Sequence, residues 1–245
     1  MDRMIYQSMT GAKQTLGQQA VVSHNLANVS TNGFRAETSV FRAVPIVGEG
    51  APTRAFVVDS TPGADFTPGA IQHTGRDLDI AVQGKGWIAV QAPDGSEAYT
   101  RAGSLQMDAN GVLQTRNGHT VIGDGGPISI PGNTLVTIAG DGTVSTVQAG
   151  NKPGASSSVG RIKLVNPPDA NLTRGDDGLF RARGEAPADA AVRIVSGALE
   201  TSNVNVVDAM VSMIALARQF DMQMKSLQNA EANARQAAQL LSMQG

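Results

Sequence analysis

Three histidines, His24, His73 and His119, are the residues of this 245-residue chain best suited to acid–base or metal chemistry. None shares a short ligand spacing with another histidine or a carboxylate, and there is no cysteine, so zinc and thiol chemistry both lack their ligands. Asp77 and Asp79 alternate with Leu78 and Ile80 as outward residues of a strand do, and nothing else marks them as an acid–base pair. No G-x-S-x-G pattern marks a nucleophile. Gly84-Lys85-Gly86 and Gly123-Asp124-Gly125-Gly126 lack the strand–loop–helix context of a phosphate loop and read as turns. The single tryptophan, Trp87, sits in an apolar run and reads as core. The expectation is no enzyme, no cofactor, no metal and no small-molecule substrate.

Bulk properties narrow the partners. The formal net charge is −2, which gives no basic field to hold a phosphate backbone, so nucleic acid is excluded. Apolar residues make up 41% of the chain but aromatics only 4%, which suits a turn-rich β region better than an aromatic binding platform. No apolar run approaches the ~18 residues of a membrane span. The start, Met1-Asp2-Arg3 followed by Ile5, Gln7, Ser8, Thr10 and Gly11, has no compact apolar segment of the kind a Sec-type leader carries. On these numbers alone the chain reads as cytoplasmic unless another export route serves it.

Helix breakers divide the chain. All eleven prolines lie between Pro45 and Pro187, and residues 198–244 contain neither Pro nor Gly. This predicts an α+β protein with four parts. They are an N-terminal helix and its joint over 1–34, an extended connector over 35–74, a central antiparallel β domain over 75–197, and a C-terminal helix over 198–245. Within the β domain, Asp94-Gly95, Asn110-Gly111, Asn117-Gly118, Asp124-Gly125 and Asp141-Gly142 are turn dipeptides. Short apolar runs at 78–82, 87–90, 135–138 and 161–165 predict strands of a sandwich or partly closed barrel. Within the connector, the stretch 43–72, with Pro45, Pro52, Pro62 and Pro68, predicts little regular structure.

The C-terminal helix carries a seam stepping by four and three. It runs through Val206, Met210, Met213, Ala217, Phe220, Met224, Leu227, Glu231, Ala234, Ala238 and Leu241, and only Glu231 interrupts it. Asn203 or Asn205 can cap its start. Val211, Ile214, Leu216, Met222 and Leu240 lie off the seam, so one partner helix cannot cover every apolar residue. The N-terminal helix shows a stripe of Ile5, Met9, Ala12 and Leu16, and residues 1–30 carry only Asp2, Arg3 and Lys13 as charges. Two arrangements answer this. The terminal helices pair with each other in a coiled-coil-like way and pack on the β domain, or many copies bundle them. The scarcity of charge favours the second, in which the weak N-terminal helix orders on assembly.

The joint between these parts is the run His24-Asn25-Leu26-Ala27-Asn28-Val29-Ser30-Thr31-Asn32-Gly33-Phe34-Arg35-Ala36. It closely resembles the NNLANxSTxGF signature of the axial proteins of the bacterial flagellum, matching at Asn25, Leu26, Ala27, Asn28, Ser30, Thr31, Gly33 and Phe34. His24 departs from the Asn common there. Leu199-Glu200-Thr201-Ser202-Asn203-Val204 is similar to that family's LExSNV motif at the start of its C-terminal helix. STPGADFTPG at 60–69, DDGLFR at 176–181 and ARQFDMQMK at 217–225 resemble the proximal-rod branch, whereas the distal-rod branch carries a QRAYE-like run instead. The resemblance implies a non-enzymatic drive-shaft subunit whose terminal helices line a hollow tube and whose β domain lies outside. It implies copies of itself and other proximal- and distal-rod subunits as partners. It also implies export without a cleaved signal by the flagellar type III apparatus, and a periplasmic location in the basal body.

Physical chemistry gives that joint a role. Asn25 and Asn28 can bond backbone groups released at a helix end, Ser30 and Thr31 can do so in a turn, and Gly33 permits a backbone angle other residues resist. Phe34 is expected to anchor the outgoing chain in an apolar site of its own or a neighbouring subunit. Gly33→Val is accordingly expected to impair assembly with little effect on the melting of the β domain. Phe220→Asp and Ile5→Asp are expected to block polymerisation.

Overall fold

The computed structural model describes residues 2–45, 55–148, 156–184 and 186–242; within these, some side chains, including that of Leu241, lie outside the described set. Secondary structure is α+β: one helix at each end and a middle of short, mainly antiparallel strands. The chain forms two compact units. One comprises Met1–Ala27, Glu37–Asp65 and Val204–Gly245, the other Asn28–Ala36 and Phe66–Asn203.

The first unit contains helices α1 (Asp2–Ala27) and α2 (Val206–Ser242), which pack against each other. Asn205 is the residue that caps α2: its Oδ1 accepts the Val207 N–H at 3.0 Å and the Asp208 N–H at 3.4 Å, as an exposed helix start requires. The face that α1 turns inward is polar and small. Ser8 and Thr15 are buried, and at Gly11 an added Cβ would lie 3.0 Å from the Gln223 side chain. Small residues at this i, i+3, i+7 spacing allow close helix approach. The expected stripe lies beside this face: Met9 and Leu16 are exposed, while Ile5 and Ala12 are half-buried.

The same unit holds an antiparallel hairpin of β1 (Glu37–Pro45) and β2 (Ala55–Ala64). Within the 35–74 connector the sequence predicts little regular structure over 43–72, and the part of the hairpin that falls there corrects that reading. The prolines are placed where a ladder tolerates them: Pro45 ends β1, and Pro62 falls at the register shift between Thr38 and Val40. Pro52 lies outside the described residues.

The second unit is built around a five-stranded antiparallel sheet. Its order is Leu164–Val165, Trp87–Gln91, Glu97–Thr100, Phe180–Ala182 and Leu172–Arg174. A three-stranded sheet and several two-stranded ladders surround a core that includes Ile80, Ile88, Leu105, Leu113, Val144 and Ile162. Among the described residues no sheet closes into a barrel. The run 161–165, read as one strand, is two pieces: Ser157–Arg161 pairs with Thr143–Gln148, and Leu164–Val165 pairs with Trp87–Gln91. The chain changes sheets there, which periodicity cannot reveal. Four of the five turn dipeptides carry positive φ at their glycine; in Asp124-Gly125 that role moves to Gly126, at φ 111°.

Candidate assembly site

Two regions carry the residues singled out by sequence. The first is the segment 28–36 with its neighbours in the β-rich unit. Here the Leu199–Asn203 run lies between two other stretches and bonds to both. On one side the Gly33 N–H donates to the Glu200 carbonyl at 2.8 Å, and the Ala36 N–H donates to Asn203 Oδ1 at 2.7 Å. On the other side the Thr201 N–H donates to the Ala70 carbonyl at 2.8 Å, and Asn203 Nδ2 donates to the Thr67 carbonyl at 3.1 Å. The Glu200 carboxylate accepts the Gly69 N–H at 2.9 Å.

Glu200 is buried, and two arginines are buried with it. Arg35 Nη2 lies 2.6 Å from Glu200 Oε1, and Arg101 Nη1 lies 2.9 Å from Oε2. This three-residue cluster therefore carries one net positive charge. Arg101 spreads its share over carbonyls, donating to Gly84 at 2.7 Å and to Val82 at 3.4 Å. The Trp87 ring supplies a negative π face, 5.9 Å from the Arg35 guanidinium carbon and 5.4 Å from that of Arg101. Phe66 and Phe180 pack on Trp87 in turn, with ring centroids at 5.9 and 4.6 Å. Burial pushes the Arg101 guanidinium down from its ordinary value, Glu200 opposes that shift, and Arg35 reinforces it.

Phe34 is buried within its own unit, with the Arg174 guanidinium carbon 4.6 Å from its ring centre, so a site in a neighbouring subunit is not needed to anchor it. Gly33 has φ 69°, and a Cβ there would sit 2.3 Å from the carbonyl carbon and oxygen of Arg101. Both conformation and space therefore demand glycine. The Thr31 N–H donates to the Asn28 carbonyl, and the Thr31 hydroxyl donates to Asn28 Oδ1, closing a turn in which Ser30 and Thr31 are exposed. Asn25 belongs to the helical unit and does something other than the expected capping of a helix end. Its side-chain amide pairs with the backbone of Glu37, donating at 2.9 Å and accepting at 2.8 Å, which fixes the first residue of β1. His24 Nδ1 lies 3.1 Å from Glu37 Oε2 beside it. Leu26 is half-buried and Ala27 exposed.

The second region is the helix pair. Met213, Phe220, Met224 and Leu227 of the seam are half-buried, while Val206, Met210 and Ala217 are exposed. The off-seam residues Val211, Ile214 and Met222 are 62%, 56% and 64% exposed, and Val207 is 67% exposed. Tyr6, Met9 and Leu16 add exposed apolar surface on α1. Pairing of the two helices thus covers one face of each and leaves a second apolar face of α2 open to solvent. An isolated exposed leucine means little, but several large apolar side chains exposed along one helix make an apolar patch that calls for an explanation. The Leu241 side chain lies outside the described residues.

Sequence reasoning missed Arg35, Arg101 and the burial of Glu200. The signal was present: Arg35 and Glu200 each stand inside one of the two motifs, where a charged residue among apolar and amide neighbours calls for a partner. Asp79, read as outward, is buried. Thr74 donates to its Oδ2 at 2.8 Å and Arg76 Nε lies 3.3 Å from its Oδ1. Among the described residues no group of three His, Asp or Glu side chains could hold a metal ion.

Comparison with known proteins adds the following. The family profile described as flagella basal body rod protein matches residues 5–35. That described as flagellar hook protein FlgE/F/G D1 domain matches 81–146, and that described as flagellar basal body rod FlgEFG protein C-terminal matches 195–240. The chain is 51% identical to the flagellar basal-body rod protein FlgF of Escherichia coli (strain K12), over 99% of this chain and 100% of that protein. It is 51% identical to FlgF of Salmonella typhimurium over the same shares. With the flagellar basal-body rod protein FlgG of Bacillus subtilis (strain 168), identity is 30% over 94% of this chain and 96% of that protein.

Proposed function

Because the chain belongs to the flagellar basal-body rod protein family, we infer that it is a structural, non-catalytic subunit of the proximal rod of the bacterial flagellum, assembling with other rod proteins in the basal body. The proximal place is supported by 51% identity to FlgF against 30% to FlgG. A distal-rod or other axial position is the second reading, and FlgG-type relatives over nearly the whole chain are its support.

The finer picture is our proposal. Helices α1 and α2, the bulk of the stretches 1–34 and 198–245, form the axial part as a coiled-coil-like pair in the inner wall of a hollow tube, while 28–34 and 198–203 belong to the β-rich unit. Residues 75–197 form an outer β domain of sandwich type, and 35–74 joins them. Copies of this chain and neighbouring proximal- and distal-rod subunits cover the helix faces. The flagellar type III apparatus delivers the chain to the periplasm. The observation carrying this picture is the open apolar face of α2, with Val207, Val211, Ile214 and Met222 each more than half exposed. Water disfavours such a surface by ~25 cal/mol per Å², which drives neighbouring subunits to cover it against the entropy cost of association. Helices contacted on several faces resist torsional shear, because each is then held by several neighbours.

The test is complementation of cells lacking their own copy. Ile214→Asp is expected to yield normally folded, secreted protein and no completed rod. Motile cells carrying that variant would contradict the proposal.

A further inference from the structure

The chain crosses between its two compact units at four places: 27/28, 36/37, 65/66 and 203/204. Within the β-rich unit, residues beside three of these crossings meet on one side chain. Asn203, next to the last, takes the Ala36 N–H on its oxygen and gives its own N–H to Thr67. The segment leading from the first crossing is held by Gly33 and Arg35, both on Glu200. Three sequence-distant stretches, 33–36, 67–69 and the one holding Arg101, therefore converge on two residues, Glu200 and Asn203, spaced three apart.

We propose that Glu200 and Asn203 form a clamp that makes seating of the 28–36 segment conditional on seating of the C-terminal 199–203 segment, with Glu200 as the positioning residue. The reasoning is electrostatic. Arg35 and Arg101 are both buried and both need the same carboxylate. Without it two guanidiniums would face each other in the interior, an arrangement whose desolvation has no compensation. One must leave. Arg101 is held by two carbonyls besides Glu200. Arg101 Nε lacks an acceptor, but Arg35 lacks one at both Nε and Nη1 among the described residues, and the 28–36 segment has no strand pairing. The Arg35 segment is the one that lifts away, carrying Phe34 with it. Neither terminal motif is then fixed unless both are, so a subunit presents the two motifs ordered together or not at all. The consequence for assembly rests on the rod reading above; the clamp itself does not.

The experiment is hydrogen exchange read by mass spectrometry on the full-length monomer, comparing wild type with Glu200→Gln and with Arg35→Met/Glu200→Met. In Glu200→Gln, peptides covering 28–36 are expected to exchange roughly a hundredfold faster, as loss of one partner of a buried ion pair opens its surroundings. Peptides covering Trp87–Gln91 are expected to stay unchanged. The double variant removes the second buried cation, leaves Arg101 on its two carbonyls, and is expected to restore protection of 28–36. Unchanged exchange of 28–36 in Glu200→Gln overturns the clamp. So does a parallel rise in Trp87–Gln91, since that marks a general loss of stability, and so does a double variant no better protected than the single one. All three readouts come from a monomer in solution, so failure here is distinct from failure to build a rod.

Discussion

Gly33→Ala offers the sharpest stability test, because the structure supplies both a conformational and a steric term and a control that isolates them. At φ 69° an alanine loses ~1–2 kcal/mol for left-handed backbone. Its Cβ would also lie 2.3 Å from Arg101 carbonyl atoms and 2.6 Å from the Ala102 nitrogen, and backbone cannot swing aside as a flexible side chain can. The cheaper escape is for the 28–36 segment to lift. That exposes Phe34, at ~2 kcal/mol, and parts Arg35 from Glu200, so the total cost is ~3–5 kcal/mol. Gly178 has a similar φ of 77° with nothing within 4 Å of an added Cβ, so Gly178→Ala costs only the conformational ~1 kcal/mol. Guanidinium unfolding followed by fluorescence of Trp87, the only tryptophan, reads both variants in the unit that contains them. The midpoint of Gly33→Ala should fall at least twice as far as that of Gly178→Ala. Equal shifts would refute the reasoning that Gly33 is fixed by contact with Arg101. This also revises the sequence expectation for Gly33→Val: the residue packs on the β-rich unit, so that unit should melt lower.

Other outcomes follow from the same geometry. Phe220 is half-buried and Ile214 is 56% exposed, so Phe220→Asp should weaken helix pairing in the monomer. Ile214→Asp should change monomer stability by less than ~0.5 kcal/mol in thermal melts; matching losses would contradict the assignment of faces. Asn205→Ala removes two capping bonds and should lower the melting of α2 by ~1 kcal/mol in circular dichroism, while Asn205→Asp should be nearly silent. Hydrogen bonds from Arg181 hold the Asp177 carboxyl below the usual carboxylate range. A depressed carboxylate stabilises fully above its unfolded value near ~4 and loses that contribution as pH falls through the folded value. Asp177→Asn should therefore flatten the stability profile below about pH 4, and an unaltered acid limb would contradict the pairing.

How much of this was legible in the chain follows from what each signal measures. Periodicity reports one side chain's relation to its own element, so strands such as Trp87–Gln91 and both long helices could be read directly. It does not report which apolar stripe meets which neighbour. On α1 the inward face is Ser8, Gly11 and Thr15, because small residues permit close packing, and the more apolar Met9 and Leu16 face out. Proline counts misled over 43–72, since Pro45 and Pro62 occupy a strand end and a bulge. The Arg35–Glu200–Arg101 cluster joins residues separated by 165, 66 and 99 positions, beyond any local pattern, and charged residues are ordinarily read as surface. Asn203 stands where a helix cap is expected, yet its two amide atoms serve Ala36 and Thr67 while Asn205 takes the cap.

The central claim is that neighbouring subunits cover the α2 face left open in a single chain. A photo-crosslinking residue placed at position 214 tests it most directly in purified basal bodies. The account requires an adduct to another rod subunit or a second copy, and none from the dilute monomer. Intact basal bodies that give only uncoupled chain from position 214 would contradict it.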